Sequence, residues 1–184
     1  YGIPKKTMGQ WSAPIIVMAS VTRILGGWLA DKYGGLNNML FLSVAVAILS
    51  RIAATMPPIW IMAVVLFLIF CCLGAGNGST FQLVPLRWMA TSAIAMSLIG
   101  EIGALGGGLI PNSMGLSKQY FGTFAGGFLL WAAIGSGIFF MYLVIKKRWT
   151  TTWVGKVGKA LTPEERVRRI REGNIREEGS HYGV

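Results

Sequence analysis

Five apolar stretches of 18 residues or more, almost free of charge, restrict this chain more than any other feature. They cover about residues 11–30, 39–56, 59–83, 91–111 and 120–145. A hydrocarbon layer about 30 Å thick is crossed by about 20 helical residues, each rising roughly 1.5 Å. Inside that layer every backbone N–H and C=O must find an internal partner, so runs of this length fold as spanning helices. The expected fold class is an all-α integral membrane bundle of about five transmembrane helices, filling residues 11–145. A charged share of only 13% and a mean hydropathy of +0.57 exclude an ordinary soluble domain.

Outside the bundle, residues 1–10 (YGIPKKTMGQ) combine proline, two glycines and paired lysines and read as an extracytoplasmic loop. Residues 146–184 form a basic tail. Of the formal charge of +10, the ten basic and five acidic side chains after residue 145 contribute half, and the seven basic and two acidic before it contribute the rest. A dense basic tail directly after a span suits a cytoplasmic face next to anionic lipid. No basic patch is interleaved with stacking aromatics, so nucleic acid is not an expected partner; the lipid bilayer is. The first residue is Tyr1, and the sequence reads as a C-terminal piece of a longer chain.

Arg23 is the residue on which function turns. It lies inside the first apolar run, eight residues before Asp31, which places it about 12 Å below the membrane edge. A central arginine costs roughly 2.5 to 3.5 kcal/mol to insert and normally faces a bundle interior or an aqueous cavity. Its planar, permanently charged fork suits a small planar oxyanion. Arg51, close to the far interface, reads as a snorkelling residue. Cys71 and Cys72 are adjacent, without ligand spacing, and read as packing residues; His181 is the single histidine and stands in the tail. No metal, cofactor or catalytic residue is expected, and no nucleophile, base and orienter recur at a workable spacing.

Two glycine-rich stretches stand out. In LGAGNGSTFQLVP, glycines 74, 76 and 78 surround Asn77 and invite either a neighbouring backbone or a ligand to come close. In GEIGALGGGLIP, Gly100, Gly103, Gly106 and Gly107 form a bare stripe on one helical face. Glu101 is the one acid inside a span besides the helix-end Asp31, and reads either as a proton-coupling site or as an interface carboxylate paired with Arg87 or a neighbouring helix end. Short loops are expected at DKYGG, at Pro85-Leu-Arg87-Trp88 and at residues 112–119. With the tail inside, the first two are cytoplasmic and the third is outside, although Lys5 and Lys6 then fall on the outer face. Thr162-Pro163-Glu164-Glu165 has capping-box spacing and opens a short helix, about 163–172, lying on the inner leaflet or simply solvated.

GGWLADKYGG resembles the loop signature of the major facilitator superfamily in its second copy, between the eighth and ninth helices. Combined with an arginine three residues before Gly-Gly, with AGNGSTFQLVP and with GEIGALGGGLIP, it resembles the nitrate/nitrite porter family over about residues 11–145. The resemblance implies a half-bundle holding about helices 8 to 12 of a carrier in the cell inner (plasma) membrane. It implies that Arg23 binds the anion and that Gly103, Gly106 and Gly107 are the signature glycines which substrate passes. Asn77 and Phe81 would line the pore, and Asp31 and Lys32 would belong to the cytoplasmic gate. The implied activity is movement of nitrate and/or nitrite by alternating access, as antiport or proton-coupled uptake. Helices one to seven, with a partner arginine on the second, would be supplied by the missing N-terminal half. Two alternatives stay open: a carrier for another small organic anion or metabolite, and a non-transporting sensor or anchor in which Arg23 pairs with a buried carboxylate.

Overall fold

The computed structural model describes residues 5–173. Its helices are α1 (Lys5–Tyr33), α2 (Gly35–Ala54), α3 (Ile59–Arg87), α4 (Ser92–Phe121), α5 (Ala125–Thr151) and α6 (Pro163–Arg171), with a short 3-10 turn at Lys156–Gly158. The first five are long and apolar enough to cross a membrane, as expected. Their tight turns make them run alternately up and down. The α1–α2 turn, the α3–α4 turn and the end of α5 therefore share one end of the bundle, where the tail also packs.

A single residue separates α1 from α2. Gly34 adopts φ +95°, a conformation that side chains rarely accept, and its carbonyl takes a bond from Asn38 N at 3.1 Å. At the other end of α2, Pro57 and Pro58 withhold two N–H donors and push the preceding Met56 out of the helical region, to φ +50°. The chain turns there and α3 starts at Ile59.

Several expected boundaries move. The loop assigned to residues 1–10 gives way to helix from Lys5, and residues 1–4 lie outside the described part. Pro85, Leu86 and Arg87 belong to α3 rather than to a loop. The expected loop 112–119 is helical, because α4 runs through Pro111 to Phe121. Proline removes one backbone donor, a loss that a spanning helix tolerates locally. The polar residues that looked like a loop serve as contacts to α5. Ser113 Oγ accepts from Trp131 Nε1 at 2.9 Å, and Ser117 Oγ accepts from Gly127 N at 2.9 Å while donating to Thr123 O at 2.8 Å. α4 stops instead at Gly122, in the left-handed region at φ +70°.

Two small apolar clusters hold the bundle. At one end Ala53, Met62, Val65 and Ile69 meet Leu49 and Phe128. At the other, Leu36, Leu83 and Val154 meet Tyr142, Trp149 and Trp153. Most large apolar side chains stay outside: Ile24 is 76% and Val144 78% exposed, the pattern of helices whose outer surface faces lipid.

Candidate functional site

The closest helix pair is α1 and α3. A side chain at Gly26 would strike the backbone of Ala75, one at Gly74 the carbonyl of Ala19, and one at Gly78 the carbonyl of Arg23. Glycines at these crossing points let the two backbones touch. Of the two readings of the LGAGNGSTFQLVP glycines, Gly74 and Gly78 therefore follow the close helix contact, while a side chain at Gly76 would only touch Met39 and Leu42 of α2, at 3.9 Å.

This contact aligns Arg23 with Phe81. The Arg23 Cζ lies 4.7 Å from the centre of the Phe81 ring, within cation–π range. Such a contact contributes about 0.5 to 2 kcal/mol and holds the guanidinium without using its N–H donors for a protein acid. Arg23 is exposed, and among the described residues no carboxylate forms an ion pair with it. Asn77 is also exposed and stands four residues before Phe81, so both project from the same side of α3. Arg23 and Phe81 thus meet across two helices, with Asn77 one turn before Phe81 on α3.

A buried polar knot lies beside this pair, centred on Ser79 between Asn77 and Phe81, and no sequence motif singles it out. Ser79 is wholly buried and donates to Ala75 O at 2.9 Å. Asn38 of α2 donates through Nδ2 to Ser79 Oγ at 2.6 Å and reaches Gly26 O at 3.3 Å. Asn38 thereby ties α2 to both helices of the Arg23–Phe81 pair. Its only signal in the sequence is an asparagine pair, Asn37-Asn38, at the start of an apolar run. Asn37 is also used: its Oδ1 accepts from Lys146 Nζ of α5 at 2.6 Å.

The remaining candidates are placed differently. Gly103, Gly106 and Gly107 on α4 have no atom within 4 Å of where a side chain would stand, so they contact neither Arg23 nor Phe81. Glu101 is exposed on the same helix and makes no ion pair among the described residues; in particular it does not pair with Arg87, whose guanidinium lies 5.7 Å from the Trp88 ring. Asp31 is exposed at the end of α1, while Lys32 Nζ stands 5.1 Å from the Trp28 ring and 5.4 Å from that of Tyr33. Arg51 Nη2 comes 3.5 Å from Ser136 Oγ on α5. Cys71 and Cys72 are unbridged, and no group of acids, histidines and cysteines among the described residues forms a metal site; His181 lies outside them. A hollow of about 330 Å³ opens at the α3–α4 turn, between Trp88, Thr91, Ile94 and Leu98, away from Arg23.

Relatives are found among transporters. The chain is 28% identical over 149 residues to the nitrite extrusion protein of Bacillus subtilis, an alignment covering 81% of this chain and 37% of that protein. It is 31% identical over 111 residues to the probable nitrate transporter NarT of Staphylococcus aureus, covering 60% of this chain and 28% of the relative. The NarT of Staphylococcus haemolyticus is 29% identical over the same length. The chain is thus similar to proteins named for nitrate transport and nitrite extrusion. It spans between about a quarter and two fifths of the length of these relatives. These relatives are named as transporters, and the five apolar helices make the chain a multi-pass membrane protein. No protein-family model matches the chain, and no solved structure does.

Proposed function

We propose that this chain is the C-terminal part of a secondary transporter of the major facilitator superfamily that moves nitrate and/or nitrite across the plasma membrane, with Arg23 as its anion-binding residue. One observation carries this reading: a guanidinium inside an apolar helix, resting on Phe81 at 4.7 Å and facing no protein carboxylate among the described residues. The ring stabilises the cation without accepting conventional hydrogen bonds, so the N–H groups of the fork stay available to an anion. Nitrate and nitrite are flat, singly charged oxyanions that accept in-plane bonds from such a fork. Asn77, on the same side of α3, adds an amide that both donates and accepts.

In the intact protein the missing N-terminal half contributes a second arginine, and the two halves rock about a midplane site. Two opposed cations repel while the site is empty; an anion between them offsets the repulsion and favours closure. A ligand shifts such an equilibrium only through its differential affinity for the two states, and bridging both halves provides that difference. Gly103, Gly106 and Gly107 of the uncovered α4 face the substrate path and the other half. Asp31 and Lys32 belong to the cytoplasmic gate, which puts the tail inside. Exchange of nitrate for nitrite needs no proton carrier, and Glu101 is the residue available for proton coupling.

Arg23→Lys in the intact protein tests the reading. An ammonium keeps the charge and loses the fork, so nitrate uptake into proteoliposomes is expected to fall about tenfold or more, a difference of about 1.4 kcal/mol in the binding step. Uptake within twofold of the unmodified protein overturns it. If uptake of an organic anion falls while nitrate is never transported, the carrier reading stands and the substrate is wrong.

A further inference from the structure

We propose that Arg169 is a positioning residue for the turn that carries Asp31 and Lys32, acting through the backbone of residues 152–158. Arg169 is only 9% exposed, although it lies on a short helix of a polar tail. Its Nη1 donates to Thr152 O at 2.9 Å and to Val154 O at 3.0 Å. Both carbonyls lie just past the end of α5, where the helix itself has no donors left to offer and a cation is favoured.

The segment held in this way is wedged under the α1–α2 turn. Val154 is fully buried against Leu36 and Leu83. The Val157 carbonyl occupies the space that a side chain on Gly34 would need, and Gly158 lies against the backbone nitrogen of Leu36. Val157 itself is held at φ +61°, unusual for a β-branched residue, which a loose segment would not retain. On its other side α6 reaches the α3–α4 turn, with Arg166 Nη2 at 3.1 Å from Met89 Sδ. α6 is kept in register by a complete capping box between Thr162 and Glu165. One docked helix thereby links the three chain features that meet at this end of the bundle.

The consequence is mechanical. The turn after Asp31 and Lys32 packs directly on residues 154–158, and the Arg169 guanidinium ties that segment to α6. This extends the transport reading given above in one respect: if the turn gates the site, Arg169 governs turnover and leaves anion binding at Arg23 alone.

Hydrogen–deuterium exchange on the intact protein in lipid nanodiscs tests the link without any substrate. In Arg169→Ala, amides of residues 33–38 are expected to exchange about tenfold faster, as loss of a charged hydrogen-bond pair implies, with residues 59–70 unchanged. Arg169→Lys restores most of the protection. Thr162→Ala, which only weakens the α6 cap, raises exchange at 33–38 about threefold. Unchanged protection at 33–38 in folded Arg169→Ala, or an equal rise over all helices, overturns the proposal. If Arg169→Ala does not fold, Thr162→Ala decides alone, and no change in it is a refutation. In nitrate uptake, Arg169→Ala is expected to lower turnover about fivefold with KM within twofold. Faster exchange with unaltered turnover would leave the link standing and overturn its bearing on the gate; absence of any uptake by the unmodified protein would sink the transport reading and not the exchange result.

Discussion

The two glycine-rich stretches of this chain are put to opposite uses. In α3, Gly74 and Gly78 are pressed against the backbone of α1 and disappear into a helix crossing. In α4, Gly100, Gly103, Gly106 and Gly107 face open space, and α4 is held chiefly by α5 and by the adjoining end of α3. The same residue type at the same helical spacings makes a weld in one place and a bare face in the other. What differs is the partner: α3 has a helix with a matching small residue, Gly26, at the same level, and α4 has none in this chain. A small-residue stripe states only that something comes close, not what it is.

The sharpest way to break this contrast is to fill each stripe. Gly78→Leu forces a side chain into the Arg23 carbonyl and is expected to cost about 3 kcal/mol or more, seen as loss of monodisperse protein in detergent and a lowered thermal midpoint. A well-folded Gly78→Leu protein would mean that the α1–α3 crossing is not tight.

A smaller effect is expected one turn away. Asn38→Leu removes the amide shared by Ser79 Oγ and Gly26 O and leaves the buried hydroxyl with a poorer set of partners. Destabilisation of about 1 to 2 kcal/mol should follow in a thermal-shift assay, with Asn38→Ser recovering part of it. No loss would show that glycine packing alone fixes the crossing.

The smallest stability effect is expected on the bare face, and it has the opposite sign. Gly106→Ala meets no neighbour and gains helix propensity, so stability should be unchanged or higher by up to about 1 kcal/mol. Nitrate uptake by the intact protein should nevertheless fall, because the added methyl narrows the proposed substrate path. Equal uptake would remove this stripe from the path; a destabilised Gly106→Ala would mean that the face is covered in the intact protein by a close helix.

Much of the candidate site was legible because its signals are local. Arg23 is conspicuous as a charge in an apolar run, and Phe81 and Asn77 stand at helical spacing within one motif. The misread parts are those where polarity has more than one cause. Ser113 and Ser117 looked like loop residues but bond to α5, and Pro111 looked like a helix end although one missing donor does not stop a membrane helix. Arg169 looked like one more surface charge in a basic tail. Its partners are backbone carbonyls 15 and 17 residues away, and a carbonyl carries no signature in a sequence.

By its sequence alone this protein was committed to five spanning helices, since apolar runs of that length have no other way to satisfy their backbones in lipid. The placement of a single cation within one of them was equally determined, because its cost depends on depth and depth is counted in residues. Only the tertiary structure decided which glycines seal a contact and which stay bare, that Arg23 rests on Phe81, and that the tail is tucked under the Gly34 turn. These are pairings across helices, set by which faces meet when the bundle closes, and the order of residues along each helix does not specify its neighbour.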